Sequence, residues 1–288
     1  MLLKEALASA IDRLTAAAVG SPRMNAEVLL MFTLGCDRAY LYAHPEQELS
    51  PQDIARYDDA LSQRSQGVPA QYLTGHQEFW GLDLIVSPAV LIPRPETEHV
   101  IETVLPIART LHRPRIVDVG TGSGAIVLAL ARELPDADFH ATEFDPAALE
   151  IARANAARHQ LGSRIQFHQT DLLMGLDADS FDFVVSNPPY VGESEADQVQ
   201  LEVRRFEPAT AVFAGPTGLE VIRRLVPQAQ TVLKPQGWLV IEISGTVVEG
   251  VRHLLEGWHG VRIIHDLRGI ARVAAAQKGS QGWTTVQH

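Results

Sequence analysis

The segment Asn187-Pro188-Pro189-Tyr190 combines residue types that suit a planar amino group. The apolar run Phe181 to Ser186 before it predicts a buried strand, so the segment lies where open α/β sheets bind their ligands. Proline has no backbone N–H, so the turn presents carbonyl acceptors, and the Asn187 side chain adds an amide oxygen. The ring of Tyr190 offers a flat surface to the same group. Taken alone, the segment fits equally well a Pro-Pro loop that only ends a strand.

A second segment predicts a site for a ribose-containing cofactor. The predicted strand Arg115 to Val119 runs into a glycine-rich turn and then into a helix rich in Ala and Leu. Glycines let backbone N–H groups approach a ligand at the electropositive start of a helix. Glu143 ends the next predicted strand and can accept hydrogen bonds from both ribose hydroxyls. The residues of the turn that we expect to bind the cofactor are Gly120, Thr121, Gly122, Ser123 and Gly124.

The glycine-rich turn does not by itself identify the cofactor. With Ala125 in its last place, it fits a dinucleotide fingerprint as well as any other ribose-containing ligand. No Gly-Lys-Ser or Gly-Lys-Thr follows, so a P-loop nucleotide hydrolase is not expected. From this segment alone, a dinucleotide oxidoreductase and a glycine turn without function both stay open.

Composition excludes several other classes of protein. The chain has 288 residues, of which 46% are hydrophobic, enough for a sizeable core. Its net charge of −11 argues against the phosphate neutralisation on which stable nucleic-acid binding depends. The single cysteine, Cys36, excludes an intramolecular disulfide, and no metal site is predicted. No apolar run approaches transmembrane length and the N-terminus lacks a secretory pattern, so we expect a cytoplasmic protein without a membrane partner.

The elements that must position these residues fall into three regions. Residues 1–75 show helical periodicity, with helix-start signals at Ser21-Pro22 and Ser50-Pro51, and predict a helical domain. Residues 76–94 predict a β-hairpin linker. Residues 95–288 alternate helix and strand patterns, which predicts a parallel sheet covered on both faces.

The charge of the N-terminal region favours a protein partner. Residues 1–85 carry six basic and eleven acidic side chains, the opposite of the balance expected in a domain that reads DNA. An acidic helical domain suits the docking of a basic protein substrate. A solvated helical bundle that only supports the catalytic domain is the alternative.

Together the two motifs resemble those of S-adenosylmethionine-dependent methyltransferases that alkylate planar amines. Enzymes with Asn-Pro-Pro-Tyr modify either adenine in nucleic acid or the side-chain amide of glutamine in proteins. Residues 67–75 and the Leu-Ile-Pro-Arg-Pro-Glu-Thr-Glu stretch at 91–98 resemble the junction of the release-factor glutamine methyltransferases, the PrmC/HemK family. Residues 25–30 resemble the helical domain of that family, and residues 204–208 match its segment after Asn-Pro-Pro-Tyr. The resemblance covers nearly the whole chain.

The resemblance implies both a fold and a reaction. The fold is a Rossmann-like α/β methyltransferase sheet with an N-terminal helical bundle joined to it by a β-hairpin. The reaction is methyl transfer from S-adenosylmethionine to the side-chain amide nitrogen (N5) of the glutamine in the Gly-Gly-Gln motif of class 1 peptide-chain release factors.

The resemblance also implies roles for particular residues. Asn187 and the carbonyl of Pro188 would each hold one proton of the substrate amide, with Pro189 and Tyr190 completing the substrate site. Asn187 would contact the cofactor as well. The glycine turn would carry the methionine part of the cofactor and Glu143 its ribose, and the adenine would lie beside Asp171 and Leu172.

Two further points concern the rest of the family pattern. Arg94 and Glu96 belong to a signature expected near the cofactor, although Pro95 and Glu96 also suit the first turn of a helix. The chain has Glu242-Ile243-Ser244-Gly245 where members usually have Glu-Ile-Gly followed shortly by Gln. This departure is expected to alter the sheet edge or a substrate loop, and not the central chemistry.

Several alternative functions stay open from the sequence. A glutamine methyltransferase of a ribosomal protein would use the same chemistry. An adenine N6-methyltransferase acting on nucleic acid would need a basic groove near Asn187. A cofactor-binding adaptor without turnover is the non-enzymatic alternative, although the complete Asn-Pro-Pro-Tyr segment argues against it.

Overall fold

The computed structural model describes residues 1–280, which form two compact units. Among the described residues, one unit comprises residues 1–76 and 200–206, and the other comprises residues 77–199 and 207–280. The sequence set residues 76–94 apart as a linker and assigned residues 200–206 to the region 95–288. These domain boundaries stay a prediction, and the last eight residues of that region lie outside the described part of the chain.

The first unit is helical. Its N-terminal residues form α1 (Leu3–Ala16), α2 (Pro22–Leu34), α3 (Arg38–Ala43), α4 (Pro51–Ser65) and α5 (Ala70–Thr74). At the start of α4, the hydroxyl of Ser50 accepts a hydrogen bond from the backbone N–H of Asp53 at 3.1 Å, as the capping signal predicts. α2 begins where Ser21-Pro22 predicts, but Ser21 has φ +50° and its side chain caps nothing. The segment 200–206 is held in this unit by an ion pair between Arg64 and Glu202 at 2.6 Å.

The second unit contains all but one of the remaining helices, and all the named strands apart from the first residue of β1. The helices of this part of the chain are α6 (Glu98–Ala108), α7 (Ala125–Glu133), α8 (Pro146–Arg158), α9 (Leu201–Phe206, grouped with the first unit), α10 (Ala209–Val212), α11 (Glu220–Val232) and α12 (Val248–Leu254). The strands are β1 (His76–Phe79), β2 (Leu82–Ile85), β3 (Arg115–Val119), β4 (Asp138–Glu143), β5 (Ile165–Gln169), β6 (Phe181–Ser186), β7 (Val191–Gly192), β8 (Phe213–Gly215), β9 (Leu233–Glu242), β10 (His259–His265) and β11 (Ala271–Gln277).

Seven of the strands form one central sheet in the order β10-β11-β9-β6-β3-β4-β5. From β9 to β5 neighbouring strands are parallel, whereas β11 is antiparallel to both β9 and β10. Val119 of β3 lies opposite Ser186 of β6 and Thr142 of β4, so the carboxyl ends of these strands meet at one edge. The predicted α/β sheet with an N-terminal helical region is confirmed, and β10 and β11 form an antiparallel pair at one edge of the sheet.

Three strands begin earlier than their sequence patterns indicate. β9 starts at Leu233 and not at Trp238, because it pairs with β6 through a register shift that accommodates Pro235 and Gly237. Tertiary pairing there overrides the low strand propensity of those two residues. In the hairpin, β1 and β2 each begin two residues before the strand patterns that start at Glu78 and Leu84, and Trp80 and Gly81, which both take positive φ, form the two-residue turn.

Apolar side chains cover both faces of the sheet. Phe139, Phe183 and Val240 lie fully buried in a cluster that also contains α6 and α7, and Phe181, Leu239 and Ile241 lie in the cluster that contains α11. From Phe183 to Val185 of β6 and from Leu239 to Ile241 of β9, successive side chains alternate between the two clusters, which is the period of two expected of strands buried on both sides; Phe181 departs from it at the register shift between β6 and β9. Within residues 1–280, no helix is long and apolar enough to cross a bilayer.

Candidate active site

Most of the residues predicted to form the site line one cleft at the carboxyl edge of the sheet. The cleft lies in the second unit, where β3, β4, β5 and β6 end. The predicted residues that line it are Gly120, Thr121, Gly122, Ser123, Glu143, Asp171, Leu172, Asn187, Pro188 and Pro189. Gly124 and Tyr190 do not line it. The topology therefore brings the two sequence motifs together in the lining of one cleft.

The glycine turn follows β3 directly and needs glycine for its backbone. Gly120 and Gly122 have φ of +67° and +55°, which L side chains rarely adopt. A Cβ atom built on Gly120 would meet no other atom within 4 Å, so the space beside the turn is open. The turn then leads into α7, whose N-terminal N–H groups favour a carboxylate or another anionic group.

The Glu143 carboxylate is held in place by backbone donors at the end of β4. Oε2 accepts a hydrogen bond from Gly122 N–H at 2.9 Å, and Oε1 accepts from Phe144 and Asp145 N–H at 2.8 and 3.1 Å. An ionised carboxylate has about four acceptor positions, so one remains for a ligand hydroxyl. Glu143 thus joins the glycine turn to the next strand and still faces the cleft.

Asp118 supports the glycine turn from below, a role that the sequence reading missed. It is 1% exposed, and its Oδ2 accepts hydrogen bonds from the Thr121 hydroxyl at 2.7 Å and from Val127 N–H at 3.3 Å. Its Oδ1 is buried without a hydrogen-bond partner among the described residues. Burial raises the pKa of Asp118 to about 7, and the charge of Glu143 adds to the effect. A lone acidic residue in an apolar strand before a glycine turn is the signal that could have identified it.

Asn155 also supports the turn and was not identified from the sequence. This fully buried residue of α8 donates hydrogen bonds to the carbonyls of Ser123 and Ile85, both at 2.9 Å. Its Oδ1 accepts from Ile85 N–H at 2.7 Å. The side chain therefore ties β2 to the turn. One asparagine in an Ala-rich helix carries no signal of this role in the sequence.

The Asn187 side chain is oriented by Thr97. Asn187 Nδ2 donates a hydrogen bond to Thr97 Oγ1 at 3.1 Å, and both residues line the cleft. This contact occupies the amino end of the amide and leaves its oxygen available as an acceptor. The preceding Ser186 fixes the start of the turn, because its hydroxyl donates to the Val119 carbonyl at 2.7 Å.

Tyr190 lies behind the turn and not in the cleft. Its hydroxyl donates a hydrogen bond at 2.9 Å to Oε1 of Glu242, which is 2% exposed at the end of β9. Burial raises the pKa of both the Tyr190 phenol and the Glu242 carboxyl. The hydroxyls of Thr97 and Tyr190 act in the opposite direction on Glu242. The predicted packing of the Tyr190 ring on a substrate amide stays a prediction.

The residues of the signature at 91–98 stabilise the surroundings of the site mainly through ion pairs and hydrogen bonds. Arg94 forms an ion pair with Glu207, whose Oε2 also accepts a hydrogen bond from Ile92 N–H at 3.0 Å. Glu96 lies 3.6 Å from Arg272 of β11. Neither Arg94 nor Glu96 lines the cleft, whereas Thr97 does. Their expected nearness to a cofactor stays a prediction, and Thr97 is the member of the signature that the sequence reading passed over.

The part of the cleft next to Leu172 is lined by apolar side chains and by an ion pair. Leu172 lines it with a left-handed backbone, at φ +53°, and Phe144 adds a ring that is 71% exposed. Asp171 forms an ion pair with Arg224 of α11, and both line the cleft. Within residues 1–280, no group of three or more His, Cys, Asp and Glu side chains is placed to hold a metal ion.

Comparison with known families gives matches over both units. Residues 5–75 match the family described as the PrmC N-terminal domain, and residues 99–214 match the methyltransferase small domain. The release factor glutamine methyltransferase of Koribacter versatilis is 51% identical over 279 residues, which cover 96% of this chain and 99% of that protein. The protein of the same name from Moorella thermoacetica is 41% identical over 96% of this chain and 99% of its own length. That of Escherichia coli K12 is 40% identical, with 93% and 95% covered.

Solved structures share the fold. The hMettl16 catalytic domain, solved with an RNA hairpin, superposes with a TM-score of 0.58 at 20% identity, covering 78% of this chain and 84% of that one. A T. thermophilus 16S rRNA methyltransferase, solved with AdoMet and guanosine, gives a TM-score of 0.54 at 19% identity, covering 70% and 49%. At these identities the likeness concerns the methyltransferase fold alone.

Proposed function

This chain belongs to the family of release factor glutamine methyltransferases, and we propose that it methylates the glutamine of the Gly-Gly-Gln motif in class 1 release factors. The methyl group comes from S-adenosylmethionine and is transferred to the side-chain amide nitrogen. The observation that carries the proposal is the free acceptor oxygen of Asn187, held across one cleft from the glycine turn.

The residues that line the cleft suit the methionine, ribose and adenine parts of S-adenosylmethionine. The open space at Gly120 admits the methionine part beside the turn, and Glu143 keeps an acceptor position for a ribose hydroxyl. Leu172 and Phe144 form an apolar surface for the adenine, next to Asp171. When bound, the cofactor supplies a methyl group that its positive sulfonium already activates for displacement.

Positioning is the main task of the protein, because an amide nitrogen is a poor nucleophile. Its lone pair is delocalised into the carbonyl, so the nitrogen must lose planarity as the new bond forms. Asn187 Oδ1 accepts one of the two amide protons and the Pro188 carbonyl accepts the other. Both acceptors then stabilise the positive charge that develops on nitrogen.

Deprotonation needs no dedicated base. The nitrogen becomes strongly acidic once it carries the methyl group, and it loses one proton to water to restore a neutral amide. The balance of the step is one N–C bond formed, one S–C bond broken and one proton released. We assign Tyr190 to the support of the turn through Glu242, since its hydroxyl faces away from the cleft.

We also propose that the helical unit docks the release factor. Exposed apolar side chains lie on α2, where Met24 and Phe32 are 54% and 53% exposed, and Tyr42 of α3 is 54% exposed. Large exposed apolar and aromatic side chains are the kind that anchor protein partners. Translation termination takes place in the cytoplasm, so the proposal places the protein there.

The other substrates weighed from the sequence are less well supported. The curated relatives named above are all release factor glutamine methyltransferases, and none is named for a ribosomal protein or for DNA. The acidic net charge of −11 also weighs against a nucleic-acid substrate.

A labelling assay tests the proposal directly. Purified protein is incubated with methyl-labelled S-adenosylmethionine and, in separate tubes, with a class 1 release factor, ribosomal proteins and DNA. We expect label in the release factor only, and a factor carrying Gln→Ala in its Gly-Gly-Gln motif remains unlabelled. Label in DNA or in ribosomal protein, with none in the release factor, would overturn the assignment.

A further inference from the structure

The chain makes a tight turn just after β5, where the cleft is lined by Leu172. At the start of the turn, Thr170 N–H donates a hydrogen bond to the Glu143 carbonyl at 2.9 Å, which ties the turn to the end of β4. The Thr170 hydroxyl donates to the Met174 carbonyl at 3.0 Å, and Met174 N–H donates to the Asp171 carbonyl at 3.2 Å. The segment from Asp171 to Met174 therefore has the hydrogen bond of a β-turn, with Leu172 in its first central position.

Leu172 occupies this position against its backbone preference. Its φ is +53°, in the left-handed region that L side chains enter only at a cost in energy. A turn with positive φ at its first central residue usually has glycine there. Here the side chain gives leucine a purpose, because it lines the cleft where we place the adenine. The chain thus accepts backbone strain to present an apolar side chain to the cofactor, and the surrounding structure must hold the strained conformation.

Two side chains of α11 hold the turn at the residues on either side of Leu172. Gln228 Oε1 accepts a hydrogen bond from Leu173 N–H at 3.0 Å, and Leu173 is 2% exposed. Arg224 forms an ion pair with Asp171. Arg224 and Gln228 are four residues apart, so they lie on one face of the helix. The apolar face of α11 is buried in the core, so the helix offers the turn a rigid support.

We propose that Gln228 and Arg224 are positioning residues of cofactor binding, which keep Leu172 in the left-handed conformation that presents its side chain to the adenine. The inference rests on the proposed function, because it requires a cofactor with its adenine at Leu172. Gln228 does not line the cleft, so it acts through the turn and not by contact with the cofactor. Gln228 has the larger effect of the two, since Arg224 and Asp171 are 52% and 37% exposed and solvent weakens their ion pair.

Variants of Gln228 measure its contribution to cofactor affinity. Gln228→Leu keeps most of the volume and removes the acceptor, so S-adenosylmethionine and its demethylated product should bind about 5- to 20-fold more weakly in titration calorimetry. Gln228→Glu keeps an acceptor and should bind the cofactor within about twofold of the wild type. The rate of methylation at saturating cofactor should stay unchanged in both variants, because the turn takes no part in the chemical step. Gln230→Leu, at an exposed residue of the same helix, is the matched control.

Variants of Leu172 separate backbone strain from side-chain contact. Leu172→Ala and Leu172→Gly both remove the apolar contact with the adenine, but only glycine adopts positive φ without strain. Adding Gln228→Leu should therefore still weaken binding about 5- to 20-fold in the Leu172→Ala background, and less than about twofold in the Leu172→Gly background. A Gln228 side chain that only stabilises the fold would have the same effect in both backgrounds.

Hydrogen exchange tests the same role in the absence of cofactor. The Leu173 amide should exchange slowly in the unliganded wild type and at least about tenfold faster in Gln228→Leu, because its acceptor is lost. The amide of Val117, in the middle of β3, should exchange at the same rate in both proteins and serves as the internal control.

Each outcome bears on a separate claim. Equal losses of affinity in the two Leu172 backgrounds overturn the positioning role. A lower melting temperature of Gln228→Leu without a loss of affinity assigns Gln228 to stability alone and overturns the role as well. If the wild-type protein gives no heat with S-adenosylmethionine, the cofactor assignment fails and the inference with it. If the wild type binds the cofactor and Gln228→Leu binds it equally well, only the inference fails.

Discussion

The two sides of the cleft are built in different ways. The cofactor side is formed by chain segments that follow one another closely, from the end of β3 to the end of β4. Its contacts are mainly backbone N–H groups gathered around Glu143 and Asp118. The acceptor side is assembled from Thr97, Asn187, Tyr190 and Glu242, which come from four separate parts of the chain. Its contacts are between side chains.

This difference has a functional meaning. A backbone cradle binds through groups that every residue carries, so it tolerates changes in side chain away from the glycines and the acid. A side-chain network fixes donor and acceptor directions, and a single substitution can reverse them. We therefore expect changes on the cofactor side to act mainly on affinity. Changes on the acceptor side should act mainly on the rate of the chemical step.

The largest effect is expected at Asn187, on the acceptor side. Asn187→Ala removes a preorganised acceptor, which by analogy with oxyanion-hole donors costs about 100- to 1,000-fold in kcat. Asn187→Asp keeps an acceptor of the same shape and should retain partial activity. Single-turnover rates and cofactor dissociation constants are measured for each variant. Parallel losses of rate and affinity in both variants would assign Asn187 to the cofactor and would break the comparison.

The next largest effect is expected at Glu143, on the cofactor side. Glu143→Ala removes the carboxylate that orders the glycine turn, which should weaken cofactor binding by roughly 1–3 kcal/mol. The rate at saturating cofactor should change much less than in Asn187→Ala. Titration calorimetry with S-adenosylmethionine and with NAD measures the affinities, and Glu150→Ala on the exposed face of α8 is the matched control. Binding of NAD in place of S-adenosylmethionine would contradict the cofactor assignment.

The buried carboxyl of Asp118, on the cofactor side, should make the free energy of unfolding depend on pH. Its folded-state pKa of about 7 lies above the ordinary value of 3.8, so the folded protein holds an extra proton between these values. The contribution of the protonated Asp118 carboxyl to the free energy of unfolding is therefore fully present at low pH and is lost as the pH rises toward 7. Asp118→Asn should remove about 2–3 kcal/mol of the difference in unfolding free energy between pH 5 and pH 8. Denaturant unfolding at both pH values measures it, and an unchanged difference would show that the carboxyl is ionised throughout.

The smallest effect is expected in the helical unit. Phe32→Ala removes an exposed ring from α2 and should cost about 1 kcal/mol of release-factor binding, seen as a higher KM with kcat unchanged. Leu111→Ala, at a side chain 42% exposed in the other unit, is the control. Equal KM values for Phe32→Ala and the control would argue against docking through this face of α2.

The sequence predicted the cofactor side better than the acceptor side, for a physical reason. The glycine turn and Glu143 depend on local patterns, namely a strand, a turn that needs positive φ, and a strand-ending acid. Thr97 and Glu242 depend on which strands become neighbours, and β9 lies beside β6 with some 50 residues of other structure between them. The starts of α2 at Pro22 and α4 at Pro51 depend on local sequence patterns, and the sequence predicts them correctly. The early start of β9 depends on its pairing with β6, and the sequence does not predict it.

The position of β11 in the sheet carries a consequence for the newly made chain. β11 comes last among the described strands, yet it lies between β9 and β10 and holds Val273 opposite Glu242. The edge of β9 beside Glu242 therefore stays unpaired until the residues of β11 have been made. In a chain that lacks β11, this open edge of β9 is where pairing with another chain would begin.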